Sequence, residues 1–268
     1  MESLVTGWQA FGEKEAFSGY LARPARAPDA LPGVLIVHEA LGVSEHIQDV
    51  TRRFARAGYA AFAPDLFSRD GTRPPQMEAS RLTTVIDLIQ GMPPADRMNP
   101  AAREAAIDRF PADEAARIRE TIGALFAGGH FPPLLAAARF LHEELPLTRG
   151  QKIGAVGFCM GGGLSMLLAC KDPSLRAAVS FYGRPPPPEE IPNVGCPILA
   201  LYGSEDVGLM ESLPALQAAM KAAGKSFEAV VYDGAEHAFF NDSRPLYSVA
   251  ASRAAFARTL GFLAEALG

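Results

Sequence analysis

The chain of 268 residues is 49% hydrophobic and 21% charged, with a formal net charge of −5. This composition supplies a real core and excludes a disordered chain. The acidic balance, with no basic run, excludes a nucleic-acid partner.

The first stretch, MESLVTGWQAFGEKEAFSGY, carries acids and lacks a basic segment followed by an apolar one. No signal peptide is read, and a reducing, cytoplasmic location is expected. LPGVLIVHEA then reads as a buried strand after Pro-Gly. SEHIQDVTRRFARAG reads as a helix, with Ser44 as N-cap and Gly58 past its end. YAAFAPDLF is a second strand, stopped near Pro64. Residues 70–131 break the rhythm with three helical segments, MEASRLTTVIDLIQ, NPAAREAAIDRF and DEAARIRETIGALF. They are either a solvated embellishment or a cap over a pocket. PPLLAAARFLHEEL is a helix opened by prolines. KIGAVGFC is a strand and GGGLSMLLACK a helix. LRAAVSFYG and CPILALYG are strands separated by the loop RPPPPEEIPNVG. ESLPALQAAMKAAG is a helix and SFEAVVYDG a strand. SVAASRAAFARTLGFLAEAL closes the chain as an amphipathic helix.

Strands alternating with helices imply one α/β domain with a mostly parallel sheet covered on both faces. The uncharged run 153–170 approaches the length of a membrane span. Its five glycines and central turn favour a buried strand followed by a buried helix, and no membrane partner is expected. Three cysteines, Cys159, Cys170 and Cys196, form no C-x-x-C pair, and their odd number argues against a disulfide framework.

The sharpest signal is Gly157-Phe158-Cys159-Met160-Gly161. It matches the G-x-nucleophile-x-G elbow, with cysteine in place of serine. The following helix would aim its N-terminus at the thiol and favour the thiolate. The Met160 amide would face a developing oxyanion. The bland alternative is a small buried cysteine. The nucleophile is favoured because strand, turn and helix are the context the motif requires.

A cysteine nucleophile needs a base, and the base an orienting acid. In an α/β-hydrolase the acid and then the histidine follow the nucleophile. His237, in DGAEHAFFND, is the one histidine after Cys159. His130 and His142 read as surface or packing residues. His46 falls on a polar helix face, and His38 comes too early in the chain. HEALGVSEH lacks zinc-ligand spacing, so no metal site is expected. The candidate acids are Asp172, Asp206, Asp233 and Asp242. Asp172 looks like a turn residue, and Asp233 competes by its closeness to His237. Asp206 is favoured because it follows the strand PILALYG directly, at the catalytic edge of the sheet.

VLIVHEALGV, AAFAPDLFSR, VGFCMGG and AEHAFFND together resemble the dienelactone hydrolase family of α/β-hydrolases. The match runs from GYLARP to ARTLGFL and omits 70–131. The resemblance implies the α/β-hydrolase fold and lactone hydrolysis by a Cys159–His237–Asp206 triad through a thioester, with no cofactor. It implies that Glu39 contacts the resting thiol and takes part in its activation, and that the Ala40 amide joins that of Met160 in the oxyanion hole. It places Arg69 on a substrate carboxylate. The family's second arginine falls at Asn241 here, a departure; Arg244, slightly further on, is the candidate to replace it. Alternatives are a broader carboxylesterase or thioesterase, a small-molecule-binding or thiol-sensing protein, and an oxidoreductase using Cys159. The last lacks a nearby resolving cysteine.

Overall fold

A computed structural model describes residues 4–93, 96–97 and 99–268. Its strands are β1 (Leu4–Phe11), β2 (Phe17–Pro24), β3 (Gly33–Val37), β4 (Ala60–Pro64), β5 (Ile153–Phe158), β6 (Leu175–Phe181), β7 (Ile198–Gly203) and β8 (Phe227–Tyr232). The long helices are α1 (Glu45–Arg56), α2 (Ala79–Gly91), α3 (Pro100–Ile107), α4 (Ala112–Phe126), α5 (Phe131–Arg139), α6 (Met160–Lys171), α7 (Val207–Ala222) and α8 (Val249–Leu267). The strands form one sheet in the order β1-β2-β4-β3-β5-β6-β7-β8. β1 and β2 pair antiparallel with each other, and β2 antiparallel with β4. Every other pairing is parallel.

The mostly parallel sheet expected from the strand–helix alternation is therefore present. The sequence reading assigned no strand to residues 1–24, where the structure adds an antiparallel pair. The reason is position. β3, β4, β5 and β7 are buried along their whole length and read as unbroken apolar runs. β1 lies at the sheet edge, with most of its residues at least partly exposed. Its Trp8 is half exposed and meets Tyr20 edge-on at 6.0 Å.

Alternation along the strands divides the core between the two faces. Val34, Ile36, Val156 and Phe158 pack with Ile47, Val50 and Phe54 of α1 and Leu263 of α8. Leu35, Val37 and Ala155 pack with Leu134 and Ala137 of α5 and Met166 of α6. α2, α3 and α4 share a small separate core of Val85, Ile107, Ala115 and Ile118. The uncharged run 153–170 divides into β5 and α6 around Cys159. Among the described residues, no single helix is long and apolar enough to cross a membrane.

Candidate active site

The nucleophile elbow lies between β5 and α6. Cys159 has φ 53° and ψ −114°, a region that a residue with a Cβ enters only under strain. Its amide donates to Phe181 O at 3.0 Å, tying the bend to the end of β6. The motif glycines are there for close approach. A Cβ on Gly157 would lie 1.9 Å from Gly161 O, and one on Gly161 would lie 2.1 Å from Val37 O. The first turn of α6 thus rests on the chain leaving β3. This contact brings Met160 beside the segment that carries Ala40. The amide of Met160 opens α6, where helix N–H groups have no intrahelical acceptor.

β7 delivers Asp206 at the N-cap position of α7, and the loop after β8 delivers His237. His237 Nδ1 lies 2.5 Å from Asp206 Oδ2, and its Nε2 lies 3.1 Å from Cys159 Sγ. Burial disfavours the charged imidazole. The negative charge of a Cys159 thiolate outweighs it, together with Asp206, and holds the His237 pKa up to about 10. The arrangement favours the protonated imidazole of His237.

The other candidate acids are engaged elsewhere. Asp172 accepts from the backbone and hydroxyl of Ser174. Asp242 accepts from His46 at 2.9 Å and Arg53 at 2.5 Å. Asp233 is exposed. His46 is buried against the Asp242 loop rather than on a polar face. His130 is buried, with Nε2 at 3.0 Å from Leu125 O.

Glu39 is buried. Its Oε1 accepts from Tyr182 Oη at 3.1 Å and its Oε2 from Asn241 Nδ2 at 2.7 Å. Sγ of Cys159 is bonded to His237, not to Glu39. Asn241 is itself buried, and its Oδ1 accepts from the amide and hydroxyl of Ser243. Both ends of its side chain are thus used inside the protein. Residues Glu39 to Gly42 form a turn closed by Gly42 N–H donating to Glu39 O at 3.1 Å, with Ala40 inside it.

The arginines proposed for a substrate carboxylate are also occupied. Arg69 donates to Leu66 O, Ser68 O and Gly129 O. Arg244 pairs with Asp87 of α2 at 2.7 Å. The sequence reading missed Tyr182, Asp65 and Arg73, and set His38 aside. His38 is fully buried, and burial lowers its pKa to about 4 despite the nearby Asp65 carboxylate. It is therefore neutral. Its Nε2 accepts from Leu66 N at 3.0 Å, so Nδ1 is the donor to Glu39 O at 2.6 Å. The available signal for His38 and Asp65 was their place just after β3 and β4, at the carboxyl edge of the sheet.

Relatives are found along nearly the whole chain. The family model described as "Dienelactone hydrolase family" matches residues 17–267. A protein of Saccharolobus solfataricus, provisionally named a carboxymethylenebutenolidase, is 33% identical over 257 residues, covering 94% of this chain and 98% of that one. An Escherichia coli K12 protein with the same provisional name is 31% identical, covering 97% of this chain and 86% of its own. The crystal structure of a provisionally named dienelactone hydrolase from Klebsiella pneumoniae superposes with a TM-score of 0.67 at 25% identity, covering 98% of this chain and 99% of that one. With an eight-stranded α/β sheet, a strained elbow at the end of its central strand and a family match spanning that whole architecture, this chain belongs to the dienelactone hydrolase family of α/β-hydrolases.

Proposed function

We propose that the chain hydrolyses a lactone or ester bond of a small molecule through Cys159, His237 and Asp206 and a thioester acyl-enzyme. The observation that supports this most directly is the continuous chain from Asp206 Oδ2 through both nitrogens of His237 to Cys159 Sγ. The thiolate attacks the carbonyl carbon, forming the C–S bond. The oxyanion is held by the amides of Ala40 and Met160. The C–O bond breaks and the leaving oxygen takes the proton from His237 Nε2, which leaves the imidazole neutral. His237 then takes a proton from water, whose oxygen attacks the thioester. The C–S bond breaks and the thiolate returns.

This cycle carries its own pH signature. The Cys159 charge is the foremost cause raising His237. Acylation removes that charge, so the base needed for the second step is released by the first. Deacylation should therefore slow at acid pH, where the imidazole of the acyl-enzyme is protonated. Intact-protein mass spectrometry during turnover should show the acyl-enzyme accumulating at pH 5.5 and vanishing near pH 8. An acyl fraction independent of pH would count against His237 as the deacylation base. Absence of any adduct on Cys159 at either pH, with hydrolysis proceeding, would count against the thioester.

A second reading, a broader carboxylesterase or thioesterase, is favoured by the occupied arginines. Asn241 stands where the resemblance expects an arginine and serves Glu39 instead. Under this reading, Arg69→Ala and Arg244→Ala should change turnover of a carboxylated lactone and a neutral ester of similar size by equal factors. A selective loss of about 1.5–3 kcal/mol on the anion, the range for a charged hydrogen bond, would instead assign an anchoring arginine and the dienelactone-type substrate. The helices of 70–131 are proposed as a cap. The bond from Arg244 to Asp87 fastens α2 to the loop that follows His237.

A further inference from the structure

We infer that Asp65 and Arg73, neither of which touches substrate in the mechanism above, are positioning residues that hold the Glu39–Gly42 turn and so set where the Ala40 amide points. The inference rests on the hydrolase reading for its catalytic consequence, but the brace itself is a property of the folded chain. The turn is gripped at both ends: the first grip leads through the His38 ring to the amide of Leu66, the residue after Asp65, and the second leads through Arg73 to the Asp65 carboxylate.

At the first end, His38 Nδ1 donates to Glu39 O at 2.6 Å. The opposite nitrogen of that ring accepts from Leu66 N at 3.0 Å and lies 3.9 Å from Asp65 Oδ1. At the second end, Gly42 adopts φ +75° and lies flat against the guanidinium of Arg73. A Cβ on Gly42 would sit 2.3 Å from Arg73 Nη2, 2.8 Å from Cζ and 2.9 Å from Nη1. Arg73 is fixed in turn. Its Nε donates to Asp65 Oδ2 at 2.5 Å, and its guanidinium lies 5.7 Å from the centre of the Phe67 ring. Asp65 completes its shell by accepting Phe67 N–H on Oδ1 at 3.2 Å. The Asp65 side chain is 5% exposed and that of Arg73 18% exposed, so solvent screens this ion pair less than a surface one.

The physical demand is plain. An oxyanion donor works only when fixed before the reaction, since a donor that must be reoriented loses most of its value. A four-residue turn outside any ladder has no such rigidity of its own. Here the carbonyl at its start is bonded by His38, and the α-carbon at its end is backed by Arg73, which the buried Asp65 carboxylate fixes. Ala40 lies between the two grips.

The test uses the full-length chain with Arg73→Ala, Arg73→Lys and Asp65→Asn, each checked for Tm. Arg73→Ala should lower kcat on an aryl ester by roughly 10–100-fold, less than the loss of a donor outright, with KM within about threefold. Alkylation of Cys159 by iodoacetamide forms no oxyanion and should stay within about twofold of wild type, which a general disturbance of the site would not allow. Methylguanidine added to Arg73→Ala should restore part of kcat, and Arg73→Lys should fall between Ala and wild type. Independently of any ester, hydrogen–deuterium exchange of the segment 38–44 should accelerate in Arg73→Ala and in Asp65→Asn. Unchanged exchange in that segment overturns the brace, and so does kcat falling together with alkylation. A wild-type chain inactive on every ester would defeat the hydrolase proposal, and the exchange comparison would still uphold or overturn the brace.

Discussion

Cys159→Ala is expected to remove hydrolysis by roughly 10³-fold or more, the scale seen when a nucleophile acting in a unit is deleted. The protein should remain folded, because the side chain lies only partly buried at the elbow. Cys159→Ser should retain little activity, since an alcohol is far less acidic than a thiol. The backbone adds a further expectation. At φ 53° and ψ −114°, alanine keeps the strain that cysteine bears, whereas glycine relieves it. Cys159→Gly should therefore match or exceed the Tm of Cys159→Ala, against the usual order. Full hydrolysis by the folded alanine variant would dismiss the mechanism. A glycine variant several degrees less stable would show that no strain is stored there.

The second large effect is expected at Gly161→Ala. The added methyl would lie 2.1 Å from Val37 O and 2.6 Å from His38 O, both backbone atoms of the chain leaving β3. A side chain could rotate away, but these carbonyls cannot move without shifting the strand end. The cost should reach or pass the upper end of the usual overpacking range, about 3 kcal/mol. For a domain of this size that lowers Tm by roughly 6–12 °C. Hydrolysis should fall as well, because the same displacement separates the Met160 amide from the turn carrying Ala40. Thermal unfolding and kcat of the purified variant check both statements. A Tm within a degree of wild type would mean that helix and strand are not locked together as the contact implies.

Of the six parallel strands, β3, β4, β5 and β7 were legible because each is buried along its whole length and reads as an uninterrupted apolar run, and β6 and β8 were legible as short β-rich runs between loops. The family and fold were legible from four short motifs for the same reason: each sits where a strand ends and geometry restricts the residue. His237 and Asp206 were read from order along the chain, since chemistry demands a base and an acid after the nucleophile and His237 was the one histidine available. What escaped lies in contacts between distant segments. Tyr182 and Asn241 hold Glu39 across separations of 143 and 202 residues, and nothing local to them marks it. Arg73 lies in a turn-rich stretch, where an arginine ordinarily reads as solvated, until Asp65 and Gly42 are seen to enclose it. His46 was placed by helix phase on a polar face, and the loop that buries it joins the chain 196 residues later. β1 escaped because, at the sheet edge, it lacks the burial that makes the central strands readable.

That outer hairpin also decides what light can report about this protein. The chain has one tryptophan, Trp8. It lies on β1, at the far edge of the sheet, four strand positions from the one that ends at Cys159. Half exposed and edge-on to Tyr20, it is sensitive to whether β1 remains docked on β2. Emission excited at 295 nm (the tryptophan band) should follow the peeling of this edge and stay unchanged as ester enters the catalytic cleft. An unfolding curve drawn from that signal alone would then describe the hairpin. Agreement with far-ultraviolet circular dichroism, which averages over all eight strands and the helices, is the condition for reading it as the stability of the whole chain.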